Sequence, residues 1–405
     1  MVLRPRGAGL AALALAATAV GVATVRVRDP WPPPRAAADP VAIAPFPGTL
    51  PRLPWPRAGE AAVAVDGIGM LGATRSQRPV PIASVTKVMT ALIVLDHHPL
   101  RPGEGGPILV MTAADEAVYR RDRSEGDSTL PVRAGERLSE LQLLEGLLVP
   151  SGDNAAWTLA RWDAGTVPAF NAEMNAEART LGLRHTHYAD VSGLDPASAS
   201  SAADQTHLAE VALRNPVFAA IVRRAQVVLP LAGRLRNPDP LAGAPFVEGV
   251  KTGWTPVAGG CLVLARWGRV AGEPLTVVAT ALGQRGRAQL PEAARVSDRL
   301  VGAARALLVV RTVSLAGQRV GELRAPWQAP VPLAVAGAAR LVGWPGLRVT
   351  VRVHLASRLP RAPLAAGAEV GTAVVSAGAE AVPLAVRTTR ALRAPDLLWR
   401  LLGSG

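Results

Sequence analysis

With 405 residues, 49% of them hydrophobic, the chain is long enough for two domains, each with its own core. The formal net charge is +13, but the basic residues are scattered and aromatics reach only 4%. That excludes a basic-aromatic platform for nucleic acid, and leaves the charge to face anionic lipid or wall polymer, or simply to solvate the surface.

Taken in chain order, Arg4 and Arg6 precede an apolar run from about Gly7 to Val25, followed by Arg26 and Arg28. Basic then apolar is the order of an export signal, and the run is near the minimum for a spanning helix. Residues 1–28 are therefore expected to be a signal peptide or an N-terminal membrane anchor. Ten prolines between Asp29 and Pro56 predict an extended spacer over 29–58. Ala62-Val63-Ala64-Val65 reads as a first strand.

From Ser84 the apolar spacing becomes helical, with Val85, Val88, Met89, Leu92, Ile93 and Leu95 three or four residues apart. A second helix is expected over Leu138–Leu148, entered through Ser139 with Gln142 three residues on, a capping box. Further helices are predicted at Ala155–Trp162, at Phe170–Leu181 with Gly182 as its stop, and at Thr206–Leu213. Strands return at Val247–Thr252, Gly260–Ala265 and Leu275–Ala281. Helices inserted between strands predict an α+β domain over 59–305. The single cysteine, Cys261, lies in one of these apolar strands; it excludes an intrachain disulfide and is expected to be inert.

After about Arg305 the pattern changes. Leu347–Leu355 alternates apolar and polar without error, and Val370–Val375 and Val382–Val386 continue the β pattern between glycines and prolines. A small β-sandwich-like domain is expected over 306–395. The apolar tail over 396–405 is too short to span a membrane, and is expected to dock on its own domain or to rest at a membrane surface.

Of 44 basic residues only two are lysines, Lys87 and Lys251. Where arginine serves as the general cation, a retained lysine marks a place where a compact ammonium, or a removable proton, is wanted. Ser84 and Lys87 lie three apart at a helix start, so their side chains share one face. A serine hydroxyl needs a base to become a nucleophile, and a lysine buried on an apolar face can be that base. Lys251-Thr252-Gly253 ends a strand: ammonium and hydroxyl suit a substrate carboxylate, and the glycine lets a peptide approach the strand backbone. Ser151-Gly152-Asp153-Asn154 sits at a helix-to-helix junction, where these residues are common as a cap and turn; its hydroxyl is also placed to relay a proton.

In this order and at these separations the three motifs resemble the active-site serine penicillin-recognising enzymes. More closely, they resemble the low-molecular-mass penicillin-binding proteins that are D-alanyl-D-alanine carboxypeptidases. Ile82–Thr90, Leu147–Ala156, Met174-Asn175, Leu181–Leu183, Ser192–Asp195, Lys251–Thr255 and Ala258–Leu262 carry the likeness, within roughly Ala61–Gly283. The resemblance implies a β-lactamase/transpeptidase-like α+β domain, an antiparallel sheet with helices on its faces and an all-helical subregion, followed by a small β-rich C-terminal domain. It implies acyl transfer. Ser84 would attack the bond between two D-alanines with Lys87 as base, and Ser151 would protonate the leaving amine. Lys251 and Thr252 would hold the terminal carboxylate, and the backbone N–H groups of Ser84 and Trp254 would form the oxyanion hole. The implied partners are a peptidoglycan stem peptide ending in D-Ala-D-Ala, β-lactams as covalent inhibitors, and a membrane through the N-terminal segment. No cofactor is implied.

One position departs from the pattern. The family's second motif usually reads Ser-x-Asn, whereas here Asp153 takes the third place and Asn154 follows it. Either Asp153 fills the role with its oxygen, or Asn154 swings in. By position the role falls to Asp153, while Lys87 is expected to be buried and neutral and Lys251 to stay charged. Two other readings compete. A β-lactamase-like hydrolase would need a positioned glutamate, and Glu173 and Glu177 fall on a helix matching the carboxypeptidase pattern. A non-catalytic wall-binding protein would follow if Asp153 disabled the site. His185-x-His187 has no acidic or cysteine partners nearby, and a metal is not expected there.

Overall fold

The structure is a computed structural model and describes residues 31–402; the expected signal or anchor lies outside them. No helix among the described residues is long and apolar enough to cross a membrane. The described residues divide into two compact units, one formed by residues 49–309 and the other by residues 31–48 together with 310–402.

The first unit is built on a five-stranded antiparallel sheet. Its order is Val247–Thr255, Gly259–Val270, Glu273–Gln284, Glu60–Val65 and Gly69–Ala73. Every residue of Glu60–Val65 is buried, so both faces of the sheet are covered there, as the apolar run from Ala61 to Val65 allows. Gln289–Leu307 packs on the Gly259–Val270 and Glu273–Gln284 strands, and Ala202–Leu213 on Glu273–Gln284 and Glu60–Val65. Gly260 allows the first contact, because a Cβ there would stand 2.1 Å from the Gln289 carbonyl oxygen.

The all-helical region surrounds Lys87–His97, which buries eight of its eleven residues. A helix buried on nearly all sides is a core helix. Val88 and Met89 share one apolar cluster with Leu143, Leu147, Leu159, Phe170, Met174 and the sheet residues Val263 and Val278. The expected capping box is present: Ser139 and Gln142 cap Glu140–Leu148 reciprocally. The other expected helices run slightly longer than their apolar spacing, as Asp153–Ala164, Val167–Thr180 and Ala202–Leu213. Ala113–Glu125, with a second capping box from Thr112 and Asp115, escaped the sequence reading because its surface is largely polar.

The second unit holds a six-stranded antiparallel sheet. Its order is Arg35–Ala38, Arg319–Ala325, Gln328–Ala336, Glu380–Thr388, Glu369–Ala377 and Val349–Leu355. A ribbon of Val309–Ser314 and Ala338–Gly343 accompanies it. The expected spacer over 29–58 is corrected here. Arg35–Ala38 is an edge strand on Arg319–Ala325, and Phe46 is 1% exposed in this unit's core. Proline is tolerated beside an edge strand, so a proline-rich stretch need not be a tether. In the tail, Trp399 packs edge-on against Trp327 at 5.2 Å, while Leu397, Leu398 and Leu402 stay exposed.

Candidate active site

Ser84 lies on a single 3-10 turn, Ala83–Thr86, immediately before Lys87–His97. Ala83 has φ +49°, a left-handed conformation that costs an alanine about 1–2 kcal/mol. Neighbours with no side chain admit this turn. A Cβ on Gly193 would meet the Ala83 carbonyl oxygen at 1.9 Å, and one on Gly253 would stand 2.7 Å from the Ile82 oxygen and 3.0 Å from the Ser84 nitrogen. The glycine of Lys251-Thr252-Gly253 thus brings its strand against the backbone of the nucleophile turn.

Lys87 is fully buried. Its Nζ donates to Ser84 Oγ at 2.7 Å, to Asp153 Oδ1 at 2.6 Å and to the Ser192 carbonyl oxygen at 3.1 Å. Three acceptors match the three donors of an ammonium. Asp153 is its ion-pair partner; burial pushes the Asp153 carboxyl above its usual range, against the pull of Lys87 and Lys251.

The alternative of Asn154 is removed by its own bonds. Its Oδ1 accepts from the Leu130 N–H and its Nδ2 donates to the Leu130 carbonyl, both at 2.8 Å. Asn154 fixes the neighbouring loop and is not free to replace Asp153. Ser151, at φ +70°, is buried two residues before Asp153–Ala164, and its Oγ accepts from Lys251 Nζ at 2.9 Å. Lys251 also donates to the Thr252 carbonyl oxygen at 3.1 Å. Burial first, and the Lys87 cation second, push Lys251 down to about 7. That downward push bears on the expectation that Lys251 stays charged, because its charge then depends on pH near neutrality.

Thr252 is buried beside these groups. Trp254 is half exposed and donates through Nε1 to Gln289 Oε1 at 2.7 Å. The sequence reading missed Asp190. Its carboxylate accepts from the backbone N–H groups of Ser192, Gly193 and Leu194 and from the hydroxyls of Ser192 and Ser198. This folds the turn that presents the Ser192 carbonyl to Lys87 and Gly193 to Ala83. The Ser192-Gly193 pair was visible in the sequence; the acid two residues earlier carried no signal of its own. Cys261 is buried, and burial pushes its thiol up to about 11, so it stays protonated. His185 and His187 lie exposed outside this cluster.

The arrangement offers two hydroxyls, each bonded to a buried amine, and an edge strand that carries Lys251. A sequence model of the D-alanyl-D-alanine carboxypeptidase family matches residues 57–278, more than half of the chain. The D-alanyl-D-alanine carboxypeptidase DacB2 of Mycobacterium tuberculosis is 36% identical over 185 residues, 44% of this chain and 59% of that protein. DacD of Salmonella typhimurium is 34% identical over 178 residues, 42% of this chain and 43% of that protein. The chain thus spans about half the length of these curated relatives. Among solved structures, penicillin binding protein 5 from Haemophilus influenzae shares the fold with a TM-score of 0.61 at 22% identity, over 85% of this chain and 99% of that one. The Streptomyces K15 DD-transpeptidase gives 0.56 at 26% identity, over 64% and 100%. The chain belongs to the D-alanyl-D-alanine carboxypeptidase family.

Proposed function

We propose that the protein is a serine-type D-Ala-D-Ala carboxypeptidase acting outside the cytoplasm on peptidoglycan stem peptides. The observation that carries this reading is Lys87 Nζ at 2.7 Å from Ser84 Oγ, with Lys251 Nζ on Ser151 Oγ at 2.9 Å. Ser84 Oγ attacks the carbonyl carbon of the penultimate D-alanine and passes its proton to the neutral amine of Lys87. The oxyanion is held by backbone N–H groups of Ser84 and Trp254. The C–N bond then breaks, the departing nitrogen takes a proton through Ser151, and D-alanine leaves. Water hydrolyses the Ser84 ester, returning the serine. Lys251 and Thr252 hold the substrate's terminal carboxylate.

Asp153 is engaged by Lys87, which leaves it poorly placed to activate water as a β-lactamase glutamate does. A β-lactam is therefore expected to remain on Ser84 as a stable adduct. The test is release of D-alanine from a peptide ending in D-Ala-D-Ala, together with labelling by a fluorescent penicillin. Wild-type protein is expected to do both and Ser84→Ala neither. A folded wild-type protein that forms no adduct would support the non-catalytic binding reading instead.

Substrate capture carries its own pH signature. Lys251 binds a carboxylate as a cation, and with its pKa pushed down to about 7 it is charged below that pH and neutral above it. KM for a peptide with a free C-terminal carboxylate is expected to rise as pH increases through about 7, roughly tenfold per unit once the amine is neutral. A KM that stays flat between about pH 6 and 9 would remove Lys251 as the carboxylate anchor.

A further inference from the structure

At the far end of the Lys87–His97 helix, three helices bring a second set of reactive side chains together. We propose that His97, Asp163 and Glu173 form a binding site for one first-row divalent transition-metal ion of the Zn2+ class. The proposal does not depend on the reaction assigned to Ser84. Nine residues separate His97 from Lys87 at the helix start, and a rise of about 1.5 Å per residue sets the two sites roughly 15 Å apart.

The geometry comes first. His97 Nδ1 lies 3.1 Å from Asp163 Oδ1 and 3.0 Å from Asp163 Oδ2. One ligand atom from each of His97, Asp163 and Glu173 lies within 4.8 Å of the others. Neighbouring donors around a tetrahedral zinc, with bonds of about 2.0–2.2 Å, stand about 3.3 Å apart, so the histidine and aspartate are already at coordination spacing. One imidazole and two carboxylates form a donor set for a transition metal.

The second observation is an unpaired acceptor. Glu173 Oε2 is shut off from solvent and has no hydrogen-bond partner, an unfavourable arrangement for a carboxylate oxygen. A cation held between Glu173 and the His97–Asp163 pair would satisfy it. The third is the field. His97 is the last residue of Lys87–His97, and Asp163 is next to last in Asp153–Ala164; helix C-termini carry partial negative charge and favour cations. Asp96 and Glu177 line the same cavity of about 330 Å3 as His97 and Glu173, adding acidic charge on a chain whose net charge is +13.

The Asp163 side chain is 1% exposed, and His98 Nε2 lies 3.0 Å from its Oδ1. That ring in turn stacks on Trp162 with centroids 4.0 Å apart. Outer partners of this kind orient a metal's carboxylate ligand. Sequence spacing does not show the set, because its members come from three different helices. A metal here would tie those helices together behind the nucleophile, a stabilising role.

Chelator-stripped full-length protein is titrated with Zn2+ by calorimetry, and with Co2+ by visible absorption. The expected result is one equivalent bound with Kd on the order of micromolar or tighter, a Co2+ spectrum of low coordination number, and a Tm that rises with Zn2+. His97→Ala and Glu173→Gln are each expected to weaken Zn2+ binding at least about tenfold and to abolish the Tm rise. His97 is 46% exposed, so its replacement leaves the core intact. His185→Ala should bind as wild type does, and labelling of Ser84 by penicillin should be unchanged in all three variants. Absence of saturable Zn2+ binding, unchanged binding in both site variants, or equal competition by Mg2+ would overturn the proposal, leaving His97 and His98 as hydrogen-bond partners of a buried carboxylate.

Discussion

Replacing Lys87 with arginine is expected to slow acylation of Ser84 about 10³-fold, within the 10²–10⁴ that a positioned general base contributes, while the protein stays folded. Arginine keeps the positive charge opposite Asp153, so the buried carboxylate is not stranded; what it loses is a proton that can be removed at any working pH. Lys87→Ala would be ambiguous, because removing one partner of a buried ion pair typically costs about 3–5 kcal/mol and would confuse unfolding with loss of base. The arginine variant carries a smaller penalty, about 1–3 kcal/mol, for a larger group at a fully buried position. The rate of adduct formation with a labelled penicillin, beside a melting curve, separates the two effects. A folded Lys87→Arg protein acylating within tenfold of wild type would remove Lys87 from the base role.

Composition by itself singles out this residue. Lysine is so rare here that its two occurrences stand out, and both Nζ atoms lie on a candidate serine, Ser84 or Ser151. Motif spacing was legible because side chains three apart on one helical turn must share a face. The core strands were legible as apolar runs, though their ends were set by pairing partners far away in sequence. Other features follow from long-range contact and leave no local pattern. Asn154 looks available for the active site in the sequence, but its amide is taken by both polar backbone groups of Leu130. Residues 35–38 look like part of a tether, but an open sheet edge, 281 or more residues downstream, takes them up by backbone pairing that any sequence without an interfering proline can make. Asp190 acts through backbone N–H groups of residues whose own identities say nothing about it.

Asp153→Asn restores the residue usual in the family's second motif, and is expected to displace the pH profile of kcat/KM toward lower pH. The variant keeps the side chain's shape and an oxygen facing Lys87 at the 2.6 Å contact, so the difference is charge alone. Burial pushes the Asp153 carboxyl up, against the pull of Lys87 and Lys251. Asp153 is in turn one of the groups holding the Lys251 pKa up against burial and against Lys87, so without it Lys251 loses its proton, and with it the substrate carboxylate, at lower pH than in the native protein. The variant should thus lose capture on the alkaline side of its profile, and KM measured over pH reads that loss apart from kcat. Superimposable wild-type and Asp153→Asn profiles would mean that the carboxylate does not act on Lys251.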